Sequence, residues 1–484
     1  MDNRSEDARE IKHVSFPKAA VSFLLPLATI ITLVVQGTPI VIALLSALCV
    51  SSVISFCMGQ RWAQIQDAAM QGVVRVFPAT FMMILVGIMI AVWIASGSVP
   101  TLLYYGMKLI NPTYFLPLTF VVCMITCLTT GTSWGTAGTV GLALMGVSQG
   151  LGVPLPMTAG AIISGALVGE KMSPISSTTI LTAASTNTNL IDHILSMMNT
   201  TVPSAVVSIV LFTYLGFTHG SASADIHGIA ALGDGLKQSF TISPVLLIPP
   251  VFVLAFSALR KPAIPVFMGG IVLGLLCALL VQGASLLHLL EAGMNGYKSQ
   301  TGIQSIDALL SRGGAVSMAT TVYLCLSAGI FGGILDRQGI LSTLLDGLLN
   351  HARSVGGLIL STTIACLALM VGGAGQYCTL TLPGVAFRRS FEERDVHSSV
   401  LSRTMEDSGT MVGAVIPWDV SAVYYSSVLG VTMWAYGPYT YIAWMTPFVS
   451  VLFGYLGIGA FRRGQKVRPL TVRHRAQVEI QYDA

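Results

Sequence analysis

From Leu109 to Gly169 the chain carries no Asp, Glu, Lys or Arg, and then Glu170 and Lys171 arrive together. Met172, Ser173 and Pro174 follow, then a polar run of Ser176, Ser177, Thr178 and Thr179, and apolar sequence resumes at Ile180. An uncharged stretch of this length belongs in a bilayer. A carboxylate and a broken backbone at membrane depth are costly unless they line a protein-enclosed, wetted cavity. The stretch Gly160 to Thr179 therefore reads as the tip of a re-entrant hairpin at a binding site. The competing reading is a Glu-Lys-Ser-Pro turn at the membrane surface.

Composition supports a membrane setting. The chain has 484 residues, 53% hydrophobic and 10% charged, where soluble domains carry about 25% charged residues. Mean hydropathy is +0.76. The apolar runs do not alternate as membrane β-strands do, so the fold class is an all-α polytopic membrane protein. The 49 Gly residues suit helices packed closely in lipid. Net charge is +4, with the excess at Arg462, Arg463, Lys466, Arg468, Arg473 and Arg475, which places the C-terminus in the cytoplasm. That orientation explains the basic tail without a nucleic-acid partner. No CxxC pair suggests a disulfide scaffold or a metal site. Residues 1–18 are mixed in charge and form a cytoplasmic tail rather than a cleavable signal.

A helix needs roughly 20 apolar residues to span a bilayer. Apolar runs lie near 19–36, 38–58, 79–97, 112–130, 134–151, 157–168, 201–217, 243–259, 263–282, 318–334, 356–372, 376–387, 411–430 and 437–461. Several are too short to cross alone and read as halves of broken helices, leaving about ten to twelve crossings. Basic residues at Arg61, Arg75, Arg260, Lys261, Arg388, Arg389 and Arg394 mark cytoplasmic loops. The chain divides into a tail 1–18, a first transmembrane repeat 19–217, a linker 218–242 placed outside, a second repeat 243–461 and a basic tail 462–484. Both termini are then cytoplasmic. Gly131 to Pro174 in the first half and Gly372 to Pro417 in the second each run from a Gly-rich break, through an apolar arm and a carboxylate, to a Pro. Broken helices at corresponding positions of two halves point to the central site of a transporter built from inverted repeats, and the two hairpin tips should approach each other near the bilayer midplane.

Three stretches carry the chemistry. GTSWGTAGTVG, Gly131 to Gly141, lacks the spacing of a nucleotide-binding loop. It reads either as close helix packing or as an unwound helix whose carbonyls, with Thr132 and Ser133, coordinate a dehydrated cation. The hairpin around Glu170 adds Ser173, Ser176, Ser177 and Thr178. The second hairpin, LSRTMEDSGTMVGAVIPWDVSAVYYSS, brings Glu406, Asp407, Ser408, Thr410 and Asp419. Arg403 stands three and four positions before the two carboxylates, a spacing for a helical salt bridge. We expect Glu406 to pair with Arg403 and Asp407 to face the site. Asp419 reads equally as a helix N-cap. His193 reads as a surface or capping residue, with a proton role as the alternative. Asn199-Thr200-Thr201 fits a glycosylation pattern but abuts a span.

These motifs resemble the signature stretches of the NhaC-type sodium/proton antiporter family, over roughly 19–460. That family includes malate/lactate antiporters and belongs to a larger ion-transporter group of inverted-repeat folds. The resemblance implies two inverted repeats, each with a broken helix and a re-entrant hairpin. Our own reading of the residues places bound Na⁺ at Thr132, Ser133 and Asp407, and the resemblance adds Gln376 of Gln376-Tyr377 to the candidate site. The chain departs from the pattern at Glu170 and Ser177, where the family typically has Asp. It departs again at Gly373-Ala374-Gly375, where the family is more polar, and at Asp419, where it has Asn. Losing an Asp at Ser177 leaves a roomier site suited to a small organic solute.

The expected function is secondary active transport in the cytoplasmic membrane by alternating access. The first choice is antiport of Na⁺ and H⁺. The alternative is ion-coupled transport or exchange of a carboxylate or amino acid. A channel would need a continuous polar pore. An enzyme would need a nucleophile or metal constellation, and no phosphate-binding loop, GxSxG or HExxH is present. The expected partners are Na⁺ or H⁺, a small organic substrate, the lipid bilayer and a second copy of the chain. No cofactor beyond bound Na⁺ is expected.

Overall fold

The computed structural model describes residues 15–469 except 110, 220–225, 260, 304–306, 308–309, 338–339, 341–342 and 344–353. Arg260, Arg473 and Arg475, and most of the N-terminal tail, lie outside the described residues. Among the described residues the secondary-structure elements are all helices, and the β pairing is an isolated bridge between Val396 and Arg462.

Two apolar helices open the chain, α1 (Phe16–Val35) and α2 (Ile40–Cys57). Then comes α3 (Trp62–Ala95), which joins the amphipathic segment between Arg61 and Arg75 to the apolar run that follows. Polar residues such as Gln64, Asp67 and Gln71 hide that continuity in the sequence. α4 (Ser98–Leu109) leads to α5 (Pro112–Thr130). α5 starts where Pro112 sets the first turn and the Asn111 side chain accepts from Thr113 N–H. It stops at Gly131, whose φ of 72° is left-handed.

Beyond Gly131 come α6 (Ser133–Thr136), a π turn (Ala137–Gly141) and α7 (Leu142–Gly150). α8 (Leu155–Met172) returns, breaks at Ser173–Ser176, and resumes as α9 (Ser177–Ser185) and α10 (Leu190–His219). α8 is buried from Met157 to Gly169, as expected of a helix at the centre of a bundle.

The segment assigned to a linker, 218–242, is described at 218–219 and 226–242 and is helical there except at 240–242. α10 runs through His219, and α11 (Ile226–Ser239) is bent by 95° against the apolar turns that follow. The next helices are α12 (Ile248–Ala258), α13 (Ala263–Leu280), α14 (Leu286–Asn295) and α15 (Ala319–Arg337). Between α14 and α15, Asp307 gathers a loop. Its carboxylate accepts from Thr301 N–H, the hydroxyls of Ser299 and Thr301, and Gly302 N–H, which hold it below the usual carboxylate range.

The second half repeats the order of the first. α16 (Val355–Val371) ends at Gly372 and Gly373, and α17 (Gly375–Glu392) follows. α18 (Ser398–Met405) passes through a π turn (Glu406–Thr410) and a 3-10 turn (Gly413–Val415), then breaks at Ile416–Asp419. α19 (Val420–Leu429), the single turn α20 (Met433–Tyr436) and α21 (Tyr441–Leu456) complete it. Thus α5, α8, α9 and α10 correspond in order to α16, α18, α19 and α21.

Within each half the two breaks touch. Ser173 Oγ donates to Leu128 O at 2.9 Å and Gly131 lies against Ile175. In the second half Trp418 Nε1 donates to Val371 O at 2.8 Å.

Six helices among the described residues are long and apolar enough to cross a membrane, and the bent pair at 233–253 could make a seventh. α13, α16, α19 and α21 are shorter apolar helices. This is a multi-pass membrane protein whose central helices are broken rather than continuous.

Small residues let these helices approach backbone to backbone. A Cβ on Gly165 would fall 2.2 Å from Phe120 O, and one on Gly169 2.4 Å from Met124 O. Neither carbonyl can move without α5. Gly165→Ala and Gly169→Ala should each cost about 1–3 kcal/mol, read as a lower melting temperature of the purified protein. Gly293→Ala, whose Cβ would meet Ile88 at an ordinary 3.6 Å, should leave it unchanged.

Candidate functional site

The site forms where the first hairpin, α8–α9, meets the π turn of α18. Lys171 lies on the last turn of α8, just before the break. Its ammonium pairs with Asp407 Oδ1, and both residues are fully buried. Thr200 Oγ1 of α10 donates to the same oxygen at 3.0 Å. Asp407 Oδ2 has no protein hydrogen-bond partner. The first hairpin therefore meets the π turn of α18, short of the second break at Ile416–Asp419, through an ion pair.

Glu406 is also fully buried, and it does not pair with Arg403. Its Oε2 accepts from Thr182 Oγ1 of α9 at 3.0 Å and from Thr410 Oγ1 at 2.7 Å, with Thr178 close by. Its Oε1 has no protein partner. The expected salt bridge fails because Arg403 turns the other way. Arg403 Nη1 donates to Gly459 O at 2.9 Å in the segment after α21. Side by side on the π turn, the two carboxylates reach different helices: Glu406 reaches α9, and Asp407 reaches α8 and α10.

Glu170 sits one residue before Lys171 and is partly exposed. Ser133 Oγ donates to its Oε2 at 2.7 Å and Ser133 N–H to its Oε1 at 3.3 Å. Tyr425 OH of α19 in turn donates to Ser133 Oγ at 2.9 Å. Ser133 is thereby committed to Glu170. Thr132 caps α6, accepting from Gly135 N–H at 3.2 Å. The Thr132, Ser133 and Asp407 set implied for Na⁺ thus has its members in three separate hydrogen-bonding arrangements.

The remaining candidates divide. Ser173 bonds to Leu128 O, and Ser176 pairs with Thr178 at 2.9 Å. Ser177 is exposed on the first turn of α9. Ser408 Oγ donates to Thr363 Oγ1 at 3.3 Å. Asp419 caps α19 through Ser421 N–H at 2.8 Å. Gln376 and Asp419 line a separate, mostly apolar cavity with Arg75, Trp134, Tyr377 and Cys378. His193 is not on the surface. It is fully buried, with Nδ1 2.8 Å from Ser402 Oγ.

Sequence reasoning missed Lys171, Thr182, Thr200 and Tyr425 as members of the site. Lys171 had a visible signal: a lone cation at membrane depth needs a buried carboxylate. The hydroxyls had none. Among the described residues no His, Cys, Asp and Glu group has the composition of a metal centre. Glu406 with the hydroxyls of Thr178, Thr182 and Thr410 is instead an all-oxygen set, the chemistry that hard cations take.

Comparison with known proteins places this arrangement in a family. Residues 11–196 and 183–458 match the model of the Na⁺/H⁺ antiporter family. The chain is 36% identical over 449 residues to a Na⁺/H⁺ antiporter NhaC of Alkalihalophilus pseudofirmus, covering 91% of this chain and 97% of that one. It is 33% identical over 419 residues to a malate-2H⁺/Na⁺-lactate antiporter of Bacillus subtilis, covering 87% and 90%. It is 31% identical over 472 residues to the arginine/ornithine antiporter ArcD of Halobacterium salinarum, covering 96% of each. With this coverage and identity, the chain belongs to the Na⁺/H⁺ antiporter family.

Proposed function

We propose that the protein is a secondary antiporter of the cytoplasmic membrane that exchanges Na⁺ for H⁺ by alternating access. The observation that carries this reading is the charge balance where the hairpins meet. Glu170, Glu406 and Asp407 face Lys171 and Arg403, so the ionised cluster is one positive charge short. Asp407 has its cation in Lys171. Glu406 is buried, has hydroxyl partners only, and keeps Oε1 open. A carboxylate in that position takes either a proton or a Na⁺ coordinated with Thr178, Thr182 and Thr410. One charge cannot accommodate both ions, and that exclusivity is what an exchanger requires. The two halves act as inverted repeats, 19–217 and 243–461, with both termini and the basic residues at and just after the C-terminal end of α17, Arg388 to Arg394, in the cytoplasm.

Exchange of a small organic solute is the second reading. It draws on the cavity beside Gln376 and Asp419, whose apolar walls suit an organic molecule better than a dehydrated cation. Two relatives are named for organic substrates. Counterflow of labelled lactate, malate and arginine in proteoliposomes tests it directly.

For Glu406 the expectation is specific. Wild-type Na⁺ uptake into proteoliposomes should weaken by about tenfold per pH unit once protons compete for one carboxylate. Glu406→Gln keeps an acceptor for Thr182 and Thr410, so it should purify at normal yield but lose saturable Na⁺ uptake and that pH dependence. Retention of wild-type Na⁺ affinity at every pH would remove Glu406 from the reading.

The Lys171–Asp407 pair should behave differently. Asp407→Asn strands a buried ammonium, a change that costs about 3–5 kcal/mol, and folded yield should fall. Asp407→Leu combined with Lys171→Met should recover folded protein by size-exclusion chromatography without recovering exchange.

A further inference from the structure

Orphaned polar atoms collect between α10 and α18. Along α10, His193, Ser196 and Thr200 share one face, at spacings of three and four. Along α18 and its π turn, Ser402, Arg403 and Asp407 oppose them. The two helices run in the same direction here: His193 meets Ser402 at one level and Thr200 meets Asp407 about 10 Å further along. Within this seam His193 Nε2, Ser196 Oγ, Arg403 Nε and Nη2, and Asp407 Oδ2 are all buried without a protein partner. Buried polar groups are satisfied by protein or by ordered water, with few exceptions. A run of them at successive levels of one seam calls for a file of water.

The state of His193 follows from its neighbours. Ser402 Oγ donates its one hydroxyl proton to Ser399 O at 3.2 Å. His193 Nδ1–H is then the donor to Ser402 at 2.8 Å, and Nε2 carries a lone pair. The tautomer is assigned from this network. Nε2 is thus a fully buried basic nitrogen, on the ring whose other nitrogen bonds across the seam, with nothing from the protein donating to it. The charged and titratable groups around it are Lys171 of α8, Arg403 and Asp407 of α18 and its π turn, Asp192 on its own helix, and His397 at the N-cap of α18. α18 begins directly after the segment that follows Arg388 and Arg389, and Arg388 Nη2 reaches Ser185 O shortly before α10. Beyond Arg403 the seam is closed by the segment after α21, where Gly459 O accepts from Arg403 and Arg468 O accepts from Asn199 Nδ2 at 3.3 Å.

We propose that the α10–α18 seam is a water-lined proton route between Asp407 and the basic face at Arg388 and Arg389, with His193 as its relay. Nε2 takes a proton from water on one side, giving an imidazolium held by Nδ1–H on Ser402. It returns that proton to water on the Asp407 side, and no other bond forms or breaks. The route delivers protons to the cluster, where Glu406 adjoins Asp407 on the same π turn, and His193 itself is not one of the oxygen ligands around Glu406. It rests on the Na⁺/H⁺ reading, because only an exchanger of protons needs one.

The test uses the purified full chain in proteoliposomes and two fluxes. Na⁺-driven proton movement, read by a trapped pH dye, needs the route. Exchange of labelled for unlabelled Na⁺ at equal pH does not. His193→Gln retains a donor for Ser402 but cannot relay. It should slow proton movement by about tenfold or more while Na⁺/Na⁺ exchange stays within about twofold. Equal loss of both fluxes would make His193 structural and overturn the proposal, as would no loss of either. Should His193→Gln fail to accumulate, Ser196→Val decides instead. It fills the seam with methyl groups and leaves the imidazole alone; the same selective loss supports the route, and unchanged proton movement overturns it. A wild-type protein that moves no protons against Na⁺ overturns both this route and the antiport reading. Wild-type exchange with insensitive variants overturns the route alone.

Discussion

The ion pair between Lys171 and Asp407 is the constraint around which the two halves are arranged. Two charges at no measurable exposure lose their hydration, and their attraction offsets that loss only with good geometry and further hydrogen bonds. The fold supplies both. α8 ends just beyond Lys171, so the ammonium emerges beside the break. The π turn places Asp407 opposite, where Thr200 adds a second donor. Bringing these helices close enough requires the glycine contacts of α5 with α8, and it leaves little room for a side chain at Gly165 or Gly169. A π turn at this point has a use, since it turns Glu406 to α9 while Asp407 faces α8 and α10.

The parts of the fold that sequence revealed are those set by local chemistry. α5 lies within the same bounds as its apolar run, because Asn111, Pro112 and Gly131 punctuate it. α1, α2, α13 and α16 follow for similar reasons. α3 was only half visible, since its first turns carry Gln64, Gln66 and Asp67 and do not continue the apolar run. The carboxylates of the site stood out against apolar surroundings, whereas their partners did not. Serine and threonine are common in membrane helices, and nothing local distinguishes Thr182 or Thr200 from Thr213, which returns its hydroxyl to Ile209 O in its own helix. Arg403 misled for a physical reason: a favourable i, i+3 spacing states which groups can meet, not which will. The segment after α21 offered Gly459 O as a competing acceptor from 56 positions away.

The same asymmetry of information applies to the breaks. Their Gly and Pro residues announce where helices end. That the ends are held is visible only in three dimensions. Each resumed arm, α9 and α19, ends in carbonyls that its own helix cannot satisfy, and an arginine from elsewhere meets each. Arg388 Nη2 of α17 donates to Ser185 O at 2.5 Å, and Arg312 Nη1 donates to Leu429 O at 3.4 Å. A cation at a helix C-terminus complements the dipole as well as the hydrogen bond. The α9 end is therefore held by a short bond from the opposite half, and the α19 end by a longer one from the loop before α15. The two arginines thus approach their carbonyls to different distances, one end in close contact and the other in a long one. The longer contact lies at α19, whose Tyr425 reaches Ser133 and, through it, Glu170.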